Sequence, residues 1–484
     1  MSSQSTRPTS AGRPSPEDSP GSPGVAAARP NGLLLFGLSL GYFMVMLDTT
    51  VVTVALPAIG KDLSGSLSGL QWVSNGYTLT FAALLLTAGA LSDRYGGRKV
   101  FLVGLWLFAI FSGFSAVAGS MGALITLRAL LGVAGALLLP TSLAIIAHAY
   151  TDPAARARAM GAWAAISGTA LAAGPLVGGV LTDTLGWQAI FLLNVPVALV
   201  CIVSTMKHAP ASDPKPSKRI DLPGQITVVL ALAGLTYALI ESQPEGWGSL
   251  EVLGGFAVFV VAGAGFLLAE RRPETEARAP MLPLAMFRNR TLSAGLFAGL
   301  LVNFGLSGVL FLLSLFFQEA HGYSAFTAGL AFLPLTLPTA FNPIFTGRLV
   351  GRIGARKPAI AGFLMMGVGV LIQSASTSDS TVSLIAMCFG LLVLGFGVSF
   401  AIPPLMTAVV GSVAKEQAGI ASGALNSARQ TGAVLGVAVL GAVVASGSSV
   451  SSATWIALVV AGVVLLAGAG VVAAHIGRPA RKSA

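Results

Sequence analysis

Three charged residues interrupt otherwise apolar stretches of this sequence: Asp48, Arg128 and Arg429. Asp48 lies near the middle of LLLFGLSLGYFMVMLDTTVVTVALPAI, which runs from Leu33 to Ile59. A charged carboxylate at the centre of a membrane helix costs about 2.5–3.5 kcal/mol on insertion scales. That cost favours proton uptake, so an acid placed there is suited to take a proton on one side of a membrane and release it on the other. A potential of 100 mV contributes about 2.3 kcal/mol per charge, enough for roughly a 50-fold substrate gradient per proton. The plainer reading is an Asp48 that is neutral, or bonded to Thr49, Thr50 or a backbone group, and only fixes packing. Arg128 stays protonated in proteins, so within an apolar run it must face a partner or a wet cavity. Beside Asp48 it would make one ion pair that proton loss and substrate binding both alter. The alternatives are a static Arg128 bonded to carbonyls, or one that holds Asp48 permanently ionised. Arg429 adjoins Asn426, Ser427 and Gln430, a polar patch that either lines a cavity or holds a helix end. Asn75, Tyr77 and Asn303 are further candidates for a cavity wall, and Trp72 for an interfacial anchor.

Other chemistries are not encoded in recognisable form. There is no G-x-x-x-x-G-K-[ST] phosphate loop, no H-E-x-x-H pair and no G-x-S-x-G. Cys201 and Cys388 sit in apolar runs and are too few for a disulfide framework or a zinc site. No enzyme activity, no cofactor and no metal site is expected, and the energy for any work must come from a gradient or a partner.

Those charges need elements to hold them. Hydrophobic residues make up 54% of the 484 and charged residues 10%, where a soluble domain carries about 25% charge. The class is an all-α polytopic membrane protein. About 20 apolar residues span a bilayer as a helix, and fourteen runs qualify: 33–59, 71–92, 100–118, 122–147, 159–181, 188–206, 223–241, 252–269, 292–318, 326–350, 359–376, 382–410, 420–446 and 454–475. If every run crosses, 25 of the 28 Lys and Arg fall on one side, in the tails and the even-numbered loops, with Lys61 alone opposite. The other side carries Asp62, Asp183, Glu245, Glu251, Glu319 and Asp379, with Glu241 at a helix end. The positive-inside rule then places both termini in the cytoplasm of a plasma membrane protein. The net charge of +10 is thus a topology signal and a contact for anionic lipid. It is not a nucleic-acid footprint. Residues 1–32 are rich in Pro, Ser and Gly and read as a disordered tail, without the layout of a removable signal peptide.

GALSDRYGGRK (Gly89 to Lys99) and GRLVGRIGARK (Gly347 to Lys357) share the pattern G-x-L-x-x-R-x-G-x-R-K, eight runs apart. The scheme is two six-helix bundles related by pseudo-symmetry with two extra helices between them. Its parts are a tail at 1–32, bundles at 33–206 and 292–475, a linker with the extra helices at 207–291, and a second tail at 476–484. Internal repeats of this kind build many secondary transporters, with the substrate site at their interface. In the first loop, Asp93 with Arg94 and Arg98 could make charge contacts that close an inner gate, with Gly96 permitting a tight turn. A plain topology anchor is the alternative. In GTALAAGPLVGG, Gly168, Gly174, Gly178 and Gly179 allow close helix approach, and Pro175 removes a helix hydrogen bond.

At this point the sequence resembles the major facilitator superfamily, in its fourteen-spanning drug:proton antiporter branch. The resemblance covers about residues 33–475. It rests on LDTTVVTVALP (Leu47 to Pro57), GALSDRYGGRK, RALLGVAGALLLP (Arg128 to Pro140), GTALAAGPLVGG, GWQAIFLLNVP (Gly186 to Pro196) and SGALNSARQTGAVLG (Ser422 to Gly436). Thr53, Leu131, Gln188 and Gly351 depart from the usual Asn, Gln, Arg and Asp at their positions. The resemblance implies export of a small amphipathic drug or antibiotic-like compound in exchange for protons, by a monomer. It also implies a flexible, leak-tight interface at the glycine-rich fifth run. A proton-coupled metabolite symporter, or a non-transporting membrane scaffold or sensor, are the alternatives.

Overall fold

The computed structural model describes residues 32–211, 221–272, 280–376, 381–446 and 450–477. Most of both expected tails, together with Lys215, Lys218, Arg219, Arg278 and Asp379, lies outside the described residues. Continuous apolar runs with buried backbone have one solution in lipid, the helix, because every N–H and C=O must be satisfied within the segment. The first half holds α1 (Gly32–Asp62), α2 (Leu67–Tyr95), α3 (Gly97–Ser115), α4 (Met121–Ala149), α5 (Pro153–Leu185), α6 (Gln188–Leu192) and α7 (Asn194–His208). Then come α8 (Leu222–Glu241) and α9 (Leu250–Glu270). The second half holds α10 (Arg290–Leu315), α11 (Ala325–Ala331), α12 (Leu333–Ile353), α13 (Arg356–Ser374), α14 (Thr381–Gly411), α15 (Ala418–Ala445) and α16 (Val450–His475).

Loop residues set the helix starts. Ser66, Ser120, Asp152, Ser249 and Ser324 each accept a hydrogen bond from the backbone N–H three residues on, satisfying a donor that the first turn leaves open. The two repeated loops turn alike: Gly96 (φ 89°) ends α2 and Gly354 (φ 80°) ends α12, a left-handed backbone that favours glycine.

Packing repeats as the loops do. In the first half α1 packs on α5 and α7, α4 on α2 and α3, and α3 on α7. In the second, α10 packs on α15 and α16, α14 on α12 and α13, and α13 on α16. The halves meet where α2 touches α15, where α5 touches α11 and α12, and where α1 touches α10. The α8–α9 hairpin lies outside this pseudo-two-fold pattern, with α8 against α2 and α15.

Hydrogen bonds join like ends. Trp72 Nε1 donates to Glu241 (2.8 Å), Trp187 Nε1 to Asp62 (2.8 Å) and Gln318 Nε2 to the Val54 carbonyl (2.9 Å). At the opposite end Arg98 donates to the Met206 carbonyl (2.7 Å) and Thr291 to the His475 carbonyl (3.3 Å). The acids and the basic loops therefore occupy opposite ends of the bundle.

By length and composition twelve helices are able to cross a membrane among the described residues, and thirteen when α11 and α12, bent by 47°, count as one span. The fourteen expected runs differ from this by one. The missing run is α2, 29 residues long but carrying Gln71, Ser74, Asn75, Tyr77, Thr78 and Thr80 in its first half. The run at 188–206 is one span broken between α6 and α7. The bend between α11 and α12 comes where Pro334 opens α12, since proline is accepted only in a first turn without kinking.

Candidate functional site: a buried ion pair and the interface between halves

Asp48 and Arg128 meet. Helix α1 carries the acid and α4 the guanidinium, and Arg128 Nη1 donates to Asp48 Oδ2. Both side chains are 1% exposed. The other Asp48 oxygen accepts from Asn194 Nδ2 at 3.1 Å, and that amide also reaches Ser112 Oγ at 3.2 Å. Arg128 Nε donates to the Val73 carbonyl at 3.1 Å, and its guanidinium carbon lies 4.5 Å from the Tyr77 ring centre and 5.9 Å from that of Phe191. Six helices (α1, α2, α3, α4, α6 and α7) thus supply one neutral cluster. Removing a single partner from a buried pair leaves a bare charge and costs about 3–5 kcal/mol. Thr49 and Thr50 do not bond Asp48; their hydroxyls donate to the Met46 (2.6 Å) and Leu47 (3.1 Å) carbonyls.

Two cavity candidates belong elsewhere. Tyr77 was expected on a cavity wall but is fully buried. Its hydroxyl donates to the Val45 carbonyl at 3.1 Å and its ring stacks on Phe81, because Arg128 needs a π face where water is excluded. Asn75 is also buried, with neither amide atom hydrogen-bonded. In this conformation it is not on a wet surface.

Asn303, Asn426 and Arg429 do come together. Arg429 Nε donates to Asn303 Oδ1 (3.3 Å) and Nη1 to Asn426 Oδ1 (3.4 Å). In the first half Tyr42 of α1 is partly exposed. Its ring stacks on Trp163 of α5 at 4.7 Å and 9°. Four helices related by the repeat, α1, α5, α10 and α15, build this patch.

At the acid end the halves are closed on each other. A Cβ on Gly174 would stand 1.8 Å from Thr50 Oγ1, and one on Gly178 2.7 Å from the Val51 carbonyl, both on α1. A Cβ on Gly179 would meet the Ala325 carbonyl at 2.5 Å, and one on Gly329 the Pro175 carbonyl at 2.4 Å. Gly174 and Gly178 therefore pack within their own half. Gly179 and Pro175 form the contact between halves, and Gly168 faces open space. Asp183, one turn beyond Gly179, accepts from the Ala325 (3.2 Å) and Phe326 (2.8 Å) N–H groups at the start of α11. On the opposite seam Gln71 Nε2 donates to the Val437 (2.9 Å) and Ala438 (3.2 Å) carbonyls of α15. Among the gating-loop candidates, Asp93 and Arg94 are exposed, Arg94 lies over the Tyr95 ring at 5.5 Å, and Arg98 reaches α7 of its own half.

A family model described as the Major Facilitator Superfamily matches residues 38–437 and 295–484. The chain belongs to this superfamily. It is 37% identical over 425 residues to a methylenomycin A resistance protein of Bacillus subtilis (strain 168), covering 88% of this chain and 89% of that one. It is 36% identical over 430 residues to a tetracenomycin C resistance and export protein of Streptomyces glaucescens, covering 87% and 79%. In fold it is similar to a D-xylose–proton symporter, with a TM-score of 0.66 at 16% identity over 92% of this chain and 98% of that one. It is a multi-span membrane protein of a transporter superfamily.

Within this superfamily member, sequence reasoning missed Asn194, Ser112, Tyr42, Trp163 and the role of Asp183. Asn194 carried a signal, as a polar residue inside an apolar run of a quoted motif. Tyr42 and Trp163 carried none, since aromatic residues in apolar runs are ordinary core.

Proposed function

We propose that this chain exports a small amphipathic, drug or antibiotic-like compound in exchange for protons. It does so across the plasma membrane, as a monomer with both termini in the cytoplasm. The observation that carries the reading is the Asp48–Arg128–Asn194 cluster: one acid, fully enclosed, in a superfamily whose similar members named above are resistance and export proteins. Proton uptake by Asp48 from outside discharges the carboxylate and releases Arg128. The freed guanidinium keeps only the Val73 carbonyl and two aromatic faces. That state is costly, and rearrangement of α1 against α4 relieves it. Proton release inside restores the pair. Lipid and protons are the remaining partners, and the substrate sits between the halves near Arg429. In this topology α2 is the fourteenth span, its polar residues buried against α4, α15 and α8. The even count keeps both basic tails on one side.

The test is proton movement in acidified inverted vesicles. Exchange predicts proton efflux when substrate is added, lost in Asp48→Asn. Symport predicts the opposite sign, and a scaffold predicts no movement.

A further inference from the structure

The patch between the halves carries an unbalanced charge. Arg429 is the twelfth residue of α15, Tyr42 the eleventh of α1 and Trp163 the eleventh of α5. All three helices enter from the basic end, so the three side chains lie at one depth, about 16–18 Å in at 1.5 Å per residue. The acid farther along α1, Asp48, six residues and about 9 Å deeper than Tyr42, is already neutralised by Arg128 and enclosed in its own half. Arg429 has two amide oxygens as partners and no carboxylate among the described residues. Its Nη2 makes no hydrogen bond there, and its side chain is partly exposed. At the same depth in the first half is Tyr42, also partly exposed, with the nearly buried Trp163 stacked on it. The rim on the same side carries Arg94, Lys99, Arg348 and Arg352, a field that draws anions inward.

We infer that the site between the halves takes a planar aromatic compound bearing a negative charge, its ring against Tyr42 and its anionic group on Arg429. A guanidinium fork matches the paired oxygens of carboxylates and sulfonates, and its two amide partners orient it without neutralising it. A cationic substrate would find no carboxylate on Arg429 among the described residues. This rests on the reading of that site as the transport site.

The test is calorimetric titration of the purified full chain in detergent at pH 7 with three flat probes: anthraquinone-2-sulfonate, neutral 2-(hydroxymethyl)anthraquinone and cationic ethidium. The sulfonate should bind at least about tenfold more tightly than the neutral probe. Arg429→Gln should abolish the difference by weakening the sulfonate alone, and Arg429→Lys should restore part of it, which separates lost charge from disturbed packing. Tyr42→Ala should weaken both anthraquinones alike. Equal sulfonate affinity in wild type and Arg429→Gln, or ethidium as the tightest ligand, would overturn the inference. The titration needs no gradient, so the two readings fail separately. An anion preference without proton movement in vesicles sinks exchange alone, and proton movement without the preference sinks the substrate class alone.

Discussion

The two halves share a scaffold and differ in chemistry. An offset of 258 residues carries the loop glycine Gly96 onto Gly354, and Gly174 and Gly178 onto Gly432 and Gly436. The second glycine pair also brings two helices together, at another height: the offset carries Thr50 and Val51 onto Gly308 and Val309, whereas this pair meets Leu300 and Phe304. A Cβ on Gly432 would stand 1.9 Å from the Leu300 carbonyl and one on Gly436 2.2 Å from the Phe304 carbonyl, so α15 lies on α10 as α5 lies on α1. The same offset carries Asp48 onto Leu306 and Arg128 onto Ala386. The second half therefore stands without the ion pair. The fold is built there without a charge at those positions.

Breaking the pair from one side should show the largest effect. Arg128→Ala strands Asp48 and is expected to destabilise the protein by about 3–5 kcal/mol, read as a lowered unfolding midpoint in detergent, with transport lost. Copying the second half, Asp48→Leu with Arg128→Ala, should recover most of that stability and none of the proton-coupled transport. A double variant as unstable as the single one would mean that the pair is structural. Next come the glycines. Gly174→Ala and Gly432→Ala should each cost about 1–3 kcal/mol by overpacking, with the larger cost at Gly432, whose obstacle is backbone rather than a threonine hydroxyl. Gly168→Ala, facing open space, should be neutral or stabilising by up to about 1 kcal/mol, and thermal unfolding ranks the three. Asn194→Ala should then cost about 1.5–3 kcal/mol as a lost bond to a charged group, and vesicle assays should show the pH profile of transport displaced. Smallest is Asp183→Ala. Losing its two bonds to the start of α11 is worth about 0.5–2 kcal/mol. It should raise the fraction of protein open at the acid end several-fold, measured as labelling of a cysteine placed at Ala325.

Asp48 and Arg128 were legible because a charge in an apolar run has few reasons to exist. Their meeting was an expectation that the packing of α1 against α4 fulfils. Asn194 obeys the same logic more faintly, since an amide costs less to bury than a charge. Tyr77 misled because its partners, Val45 and Arg128, sit on other helices, and sequence spacing does not say which face of α2 is wet. The Tyr42–Trp163 stack joins residues 121 apart in sequence and exists only once α5 lies on α1. α2 is less apolar than most of the other spans because it carries polar residues such as Gln71, Asn75 and Thr78 that are buried against other helices.

The α8–α9 hairpin is fastened at two heights to one neighbour. Near the basic end Gln225 Nε2 donates to the Ala83 carbonyl (3.1 Å) and its Oε1 accepts from Thr87. Near the acid end Glu241 accepts from Trp72. All three anchoring positions on the far side, Trp72, Ala83 and Thr87, belong to α2. Against α15 the same helix makes only unbonded contact among the described residues. Any rocking of one half on the other would therefore carry α8 with α2 and slide it over α15, making the hairpin a passenger of the first half that covers one flank of the seam.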